Sequence, residues 1–326
     1  MQAFELLAPQ TAREALRMLD EHKDARFIAG GTTVIDLMKC GAVTPTTLID
    51  ITALPFEQID ADEKRIRVGA LVRNSDVAYH GAVASKLPML AQAFLAGASP
   101  QLRNMATVGG NLLQRTRCAY FRDPSSACNK RHGGDGCDAF EGYHRMHAIL
   151  GASDACIATH ASDAAVALLA LDAIVEVIGS SGTRRVPLEE FYRVPGTTPW
   201  LENALEADEL ITAVEIPLGP AQQNSVYLKV RDRASYEFAL VSVAAGLELD
   251  RGKIAAARLA LGGVATIPWR VRDAETELGG KTPSDALFAE AAQIALEGAI
   301  PRRDNAFKLD LAQRAVVRAL QTVSQR

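Results

Sequence analysis

Four of the five cysteines in this chain fall between residues 118 and 156, as Cys118, Cys128, Cys137 and Cys156, while the fifth, Cys40, lies far upstream. The surrounding segment, residues 115–160, is rich in Arg, Gly, Asp, Ser and His and lacks apolar periodicity. It reads as a long loop, and a long ordered loop in a compact protein needs something to hold it. Four thiolates closing on one metal centre would do so. The intervening gaps are nine, eight and eighteen residues, with no C-x-x-C pair. Structural zinc usually shows at least one short C-x2–4-C knuckle. An iron–sulfur cubane also takes four thiolates, each on its own corner iron, and a wrapped loop can supply them. Disulfides are a third reading, but the N-terminal residues 1–16 form an amphipathic, acidic start rather than a basic segment followed by an apolar run. His132, His144, His147 and His160 share the region and keep zinc or a mixed-ligand site open. Four unconnected thiols are the remaining alternative.

A net charge of −4 with no basic stripe gives no sign of nucleic-acid binding. No apolar run approaches the roughly 18 residues that cross a membrane. The 326 residues allow two or three domains.

Along the chain, residues 12–22 place apolar groups at helical spacing, and residues 26–29 form a short apolar strand. Gly30-Gly31-Thr32-Thr33 follows, then a helix over residues 34–39 and a strand over 47–51. A strand, a glycine loop, a helix and a strand in this order lead to a parallel pair. The glycines let the backbone approach a ligand closely, and amides at a helix start favour an anion. A second loop of the same kind is Thr107-Val108-Gly109-Gly110-Asn111-Leu112, after a helical stretch at 87–97. Two such loops could grip the two phosphates of a dinucleotide from opposite sides; two unrelated tight turns are the plainer reading. Ser162-Asp163 could cap a helix or offer its carboxylate to the polar ring of a ligand. Residues 164–171 read as a buried helix or strand, and 174–178 and 212–217 as strands. Gly219–Asn224 reads as a polar linker. Beyond it, a long strand over 238–250, a turn at Asp250-Arg251-Gly252-Lys253 and a returning strand over 254–261 form a hairpin. Three helices follow, near 269–278, 284–297 and 307–323. The expected fold is α+β: a two-part first domain over 1–218, with a small βαβ subdomain and a larger α/β subdomain, and a C-terminal domain over 222–326 of antiparallel sheet and helices.

The strings FIAGGTTVIDLMK (27–39), ASPQLRNMATVGGNL (98–112), Ser162-Asp163 with residues 164–173, and KVRDRASYEFALVSVAA (229–245) occur in that order. Together with Leu261-Gly262-Gly263-Val264-Ala265 and Pro268, they resemble, nearly end to end, the FAD-binding subunit of the molybdenum hydroxylases, the xanthine dehydrogenase and aldehyde oxidase family. Most members lack the cysteine loop. It is similar to the 4Fe–4S insertion of 4-hydroxybenzoyl-CoA reductases and of three-subunit, periplasmic-type bacterial aldehyde oxidoreductases, with the text around Cys118 and Cys156 closer to the latter's medium subunit.

The resemblance implies that Arg26, Phe27, Ile28, Ala29, Gly30, Gly31, Thr32, Thr33 and Val34 bind the FAD pyrophosphate through the main chain. Thr107, Gly110 and Asn111 would form the second wall, Asp163 would face the flavin, and Ile211 and Lys229 would lie near the isoalloxazine. The family usually carries a longer aliphatic residue where Thr33 stands, a change that backbone binding tolerates. Cys118, Cys128, Cys137 and Cys156 would hold the 4Fe–4S cluster. The implied activity is that of an electron-transfer subunit in an aldehyde-oxidising heterotrimer. A molybdenum cofactor would sit on a large partner and 2Fe–2S clusters on a small one, with an external acceptor taking electrons from FAD. Localisation in the periplasm would follow co-export with a signal-bearing partner; otherwise the complex is cytoplasmic. Competing readings are a CoA-thioester reductase complex, a free-standing flavoprotein oxidoreductase, and a zinc-stapled scaffold that binds no flavin.

Overall fold

The apolar run after the first helix and the one after the glycine loop form the strands Ala25–Ile28 and Thr47–Asp50, parallel and in register from Ala25 against Thr47 to Ile28 against Asp50. The computed structural model describes residues 1–325. A further strand, Glu5–Leu7, pairs parallel on the other side of Thr47–Asp50. The helices Ala12–Glu21 and Val34–Lys39 connect the three strands. Thr11 starts the first helix by accepting a hydrogen bond from the Glu14 amide at 3.2 Å, relieving one of the donors that a helix start leaves unpaired. This βαβ subdomain buries Ala15, Ala25, Ile49, Ile51 and Leu54.

The larger subdomain is a five-stranded antiparallel sheet, in the order Ile59–Ala61, Arg65–Gly69, Leu210–Pro217, Ile174–Gly179, Gly182–Pro187. Between Arg65–Gly69 and the next strand of this sheet, Ile174–Gly179, the chain leaves the sheet and returns. That excursion holds the second glycine loop, the cysteine segment and the helix Asp163–Ala170. Every residue of this helix from Ala164 onward is buried, which resolves the helix-or-strand ambiguity of an all-apolar run. Tertiary packing on both sides decides it: the helix contacts Pro88–Ala96 and the C-terminal sheet. At Gly262 a Cβ would lie 2.6 Å from Val166 Cγ2, so glycine there sets how closely that sheet approaches.

The C-terminal domain carries the antiparallel sheet Trp269–Arg270, Lys253–Gly262, Val241–Asp250, Ser225–Val230. Helices Arg272–Leu278, Asp285–Ile294 and Phe307–Ser324 complete it. The last helix turns Ala312, Ala315, Val316, Ala319, Leu320 and Val323 inward, the three-and-four spacing of one buried face. Three expectations change. The helix expected near 269–278 begins at Arg272, because Trp269 and Arg270 pair with Leu261 and Ala260 as a short edge strand. The long strand begins at Val241 rather than Phe238, because its partner strand ends at Val230, opposite Val241, and the chain between them turns through Tyr236 at φ 53°. The expected linker contains a helical turn, Pro220–Gln223, with Ala221 and Gln222 buried. It packs where Gly246 leaves room, since a Cβ there would meet the Ala221 carbonyl oxygen at 2.2 Å. Asn224 Nδ2 ties the turn down by donating to the Leu247 and Val323 carbonyls at 2.9 and 3.0 Å.

Lys308, at the start of the last helix, is fully buried. Its ammonium donates to the carbonyls of His147 (3.0 Å) and Gly263 (2.6 Å), joining the cysteine segment to the C-terminal domain. Burial, reinforced by Arg145, lowers its pKa from 10.5 to about 7. The unfolded chain keeps this proton up to 10.5 and the folded chain only up to about 7. Between those values the unfolded state binds more protons, so stability rises with pH. Lys308→Met should flatten that rise, read as the difference in urea midpoint between neutral and mildly alkaline pH. An undiminished rise would contradict the assignment.

Candidate functional site: a cleft between two glycine loops

The two glycine loops meet. A Cβ on Gly30 would lie 1.9 Å from the Met105 carbonyl oxygen, so the chain entering the second loop rests on the first and only glycine fits between them. Arg73 Nη1 donates to the same Met105 carbonyl and holds it in place. Gly31 has φ 71°, a left-handed conformation that glycine adopts without strain. In the second loop Gly109 N–H donates to the Ala70 carbonyl at 2.8 Å. Thr107 caps the turn Val108–Leu112, its hydroxyl accepting from Gly110 N–H at 3.3 Å. The Thr107 hydroxyl therefore serves its own helix. Asn111 Oδ1 accepts from Ser162 Oγ (2.5 Å) and Gln114 Nε2 (3.1 Å), which leaves Asn111 Nδ2 as the donor available to a ligand.

Two cavities flank the junction, of about 320 Å³ and about 250 Å³. The first is lined by Arg26, Phe27, Ala29, Gly30, Gly31, Thr32, Thr33 and Val34, with Thr107, Gly110 and Ile211 opposite. Ile28 packs beside Gly31 instead. The second is lined by Thr32, Thr33, Gly110, Asn111, Asp163 and Lys229, with Arg233, Tyr236 and Phe238 at its C-terminal-domain side. Thr32, Thr33, Leu37, Gly110 and Arg115 line both. Each cavity alone lies at or below the small end of the range for ligand pockets. Joined at this waist they accommodate an elongated molecule with two ends and a polar middle.

Asp163 opens the helix Asp163–Ala170, with Ser162 as the cap accepting from Ala165 N–H at 2.9 Å. Its two oxygens are already engaged: Tyr227 OH donates to Oδ1 at 2.7 Å and Lys229 Nζ to Oδ2 at 2.8 Å. Lys229 also donates to the Ala96 carbonyl at 3.1 Å. Burial, and then the Asp163 carboxylate, push the Tyr227 phenol well above its ordinary value, so it remains a neutral donor. Asp163 and Lys229 thus reach the cleft as a fixed ion pair rather than as independent groups. Ile211 lies in the other cavity, so Ile211 and Lys229, expected beside one ring, occupy different halves of the cleft. Tyr227 carries no motif of its own; its role becomes visible only when its strand is seen to face Asp163.

The cysteine segment is an ordered loop with one helical turn, Ala119–Arg122. Two side chains organise it. Arg131 donates to the carbonyls of Tyr120 (2.9 Å), Phe121 (2.8 Å) and Ser126. Asn129 accepts from the Gly134 and Gly136 amides and donates to the Ala155 carbonyl at 3.1 Å. All five cysteines are free, so the disulfide reading is not realised. Among the described residues no three His, Cys, Asp or Glu converge as a single metal ion requires. The four thiols are nevertheless near enough to act on one another: Cys118 and Cys137 each feel Cys128 and Cys156. A cubane would take four thiolates on four separate irons, where a single ion needs its donors to converge on one point. Burial raises the Cys118 thiol to about 12 and Cys137 to about 11, and a bound metal supplies the charge that makes thiolates stable there. His147 Nε2 lies 3.1 Å from Cys118 Sγ. Burial holds His147 down to about 4, so it is neutral. Cys40, remote in sequence, packs with Cys118, Cys128 and the fully buried Phe121. Asp36, on the helix after the first glycine loop, pairs with Arg117 (2.6 Å) and Arg122 (2.8 Å) of the cysteine loop.

Comparison with known proteins identifies a family over nearly the whole chain. Residues 2–219 match the family described as the FAD binding domain in molybdopterin dehydrogenase. Residues 226–323 match the carbon monoxide dehydrogenase flavoprotein C-terminal domain. The chain is 49% identical to the aldehyde oxidoreductase FAD-binding subunit PaoB of Escherichia coli, over 98% of each chain. It is 28% identical to the glyceraldehyde dehydrogenase medium chain of Sulfolobus acidocaldarius, covering 89% of this chain and 85% of that one. Among solved structures, a chain of the carbon monoxide dehydrogenase from Hydrogenophaga pseudoflava superposes with a TM-score of 0.78 at 25% identity, covering 99% of this chain and 97% of that one.

The contact at Gly30 gives the sharpest test of the cleft. Gly30→Ala places a methyl against backbone that cannot move without parting the two loops, and should abolish flavin retention. Flavin absorbance per purified chain measures this, with Gly81→Ala, at a position with ordinary backbone conformation and no neighbour within 4 Å of a Cβ, as control. Full flavin in Gly30→Ala would refute the cradle.

Proposed function

Since the chain belongs to the family of FAD-binding medium subunits of molybdenum hydroxylases, oxidoreductase subunits that work beside a large and a small partner, we propose that it serves an enzyme oxidising aldehydes to carboxylic acids. The observation that carries this reading is the 49% identity, over nearly the whole length of both chains, to an aldehyde oxidoreductase FAD-binding subunit. Bound FAD supplies the chemistry of taking up electrons from 2Fe–2S clusters of the small subunit and releasing them to an external acceptor. The chain's own residues bind and orient it. Residues 29–34 and 107–111 would hold the polar middle. The Asp163–Lys229 pair would lie at the flavin end, where its fixed charges bear on the ring, and Ile211 at the adenine end, where the wall is apolar. We place the flavin at Lys229 because that cavity carries the buried charges and aromatic groups, and the other the larger apolar surface.

Cys118, Cys128, Cys137 and Cys156 would bind one 4Fe–4S cluster, whose part is to fix the loop. What supports this is the gathering of four cysteines in one ordered loop, with Cys118 and Cys137 each close enough to interact with Cys128 and Cys156. The complex would reach the periplasm on a partner's export signal.

An anaerobic absorption spectrum of the purified complex, with iron, zinc and flavin quantified on this chain after separation, tests the reading. One FAD with about four irons and no zinc is expected for a cubane on four cysteines, and Cys128→Ser should lose the iron. Adding an aldehyde to the complex should bleach the flavin band. One zinc in place of iron would refute the cluster, and a flavin that no aldehyde bleaches would refute the substrate class.

A further inference from the structure

Arg115 stands where the two halves of the cleft join. Of the five described residues that line both cavities, the others are Thr32, Thr33, Leu37 and Gly110, so Arg115 alone carries a charge. Its guanidinium is fixed on three sides. Nε and Nη2 donate to Glu202 Oε1 at 2.8 and 2.6 Å, and Nη2 reaches the Lys130 carbonyl at 3.3 Å. Its plane lies over the Phe121 ring, 4.4 Å from the centroid. Nη1 has no hydrogen-bond partner among the described residues. The side chain is about a quarter exposed, at 26%, so the free edge of a largely enclosed guanidinium is what the waist presents.

The groups that fix it belong mainly to the cysteine loop. Lys130 and Phe121 are loop residues, and Lys130 Nζ also reaches Glu202 Oε1 at 3.4 Å. Burial pushes the Glu202 carboxyl up, but Lys130 and Arg115 together outweigh it and keep it ionised below its ordinary range. Phe121 is held by Arg131 through its carbonyl and packs against Cys128 and Leu37. The position of the guanidinium therefore depends on the order of the loop. The glycine loops on either side bring polar groups but no charge. A dinucleotide whose polar middle lies at this waist carries two phosphate charges that need a countercharge there, and arginine is the residue best shaped to meet them.

We propose that Arg115 is the cation that faces the diphosphate of FAD, held toward it by the cysteine loop, so that the loop takes part in binding the flavin. The proposal rests on FAD occupying the joined cleft. Arg115 is a binding residue here; Glu202, Lys130 and Phe121 are positioning residues.

The test is a fluorescence titration of the flavin-depleted complex with FAD at several ionic strengths, for wild type, Arg115→Gln and Arg115→Lys. Limited proteolysis across residues 115–160 reports the order of the loop. Failure of the wild type to bind FAD saturably would refute the occupancy of the cleft itself, separately from the role of Arg115. With wild type binding, Arg115→Gln should weaken FAD by about tenfold or more, the loss expected for a charge-assisted hydrogen bond. Its affinity should also fall less steeply with salt, because one screened attraction has gone. Arg115→Lys should recover part of the affinity and the wild-type salt slope, with the loop protease-resistant in both variants. Unchanged affinity and salt slope in Arg115→Gln would overturn the proposal. So would a loop that becomes protease-sensitive in step with flavin loss, which would assign Arg115 to holding the loop alone.

Discussion

The contact on which the site depends is the seating of the Met105 carbonyl against Gly30, at a distance no side chain permits. It joins the first glycine loop, which belongs to the parallel βαβ subdomain, to the second, which belongs to the excursion from the antiparallel sheet. Without it the two subdomains would each present a polar turn to solvent. With it their turns face one cleft, and Gly31 and the Thr107 cap set the local backbone on either side. The strength of such a site comes from preorganisation. Gly109 and Gly110 amides are already bonded internally, so the loop keeps its shape without a ligand and little ordering entropy is lost on binding.

The charges around the cleft are arranged by the same economy of motion. Asp163 is locked between Tyr227 and Lys229, so neither ionised group is free to swing within the cleft. A buried ion pair of this kind adds little net stability against an apolar alternative, but losing one partner leaves an uncompensated charge. Among the ties that hold the cysteine loop in place are those of Arg117 and Arg122 to Asp36, of Arg115 to Glu202, and of the buried Lys308 to the carbonyl of His147. These ties hold the loop against the cleft, the small subdomain and the C-terminal domain at once.

The parts of the fold readable from sequence were those with local causes. The strand–glycine–helix–strand unit declared itself through apolar runs and turn residues, and the hairpin at Asp250-Arg251-Gly252-Lys253 through its alternation. The helix over 163–170 was ambiguous because an all-apolar run carries no period, and only packing on both sides decides it. Phe238 was read as strand because local β-propensity cannot register that the pairing partner ends at Val230, opposite Val241. In the site, the glycines and cysteines stood out as residue types with special chemistry. Tyr227 and Arg115 did not: one is an ordinary strand residue and the other one of many arginines, and their roles exist only through partners distant in the chain. The separation of Ile211 from Lys229 is likewise a matter of which side of the junction each strand ends on, which no local pattern encodes.

Hydrogen–deuterium exchange on the complex, first stripped of FAD and then restored with it, tests most directly whether the junction of the two glycine loops holds the flavin. Restoring FAD should slow exchange in peptides spanning residues 29–35 and 105–115 together, with the helix Asp285–Ile294 unaffected. Protection confined to one of the two loops, or located away from both, would contradict a cofactor held between them.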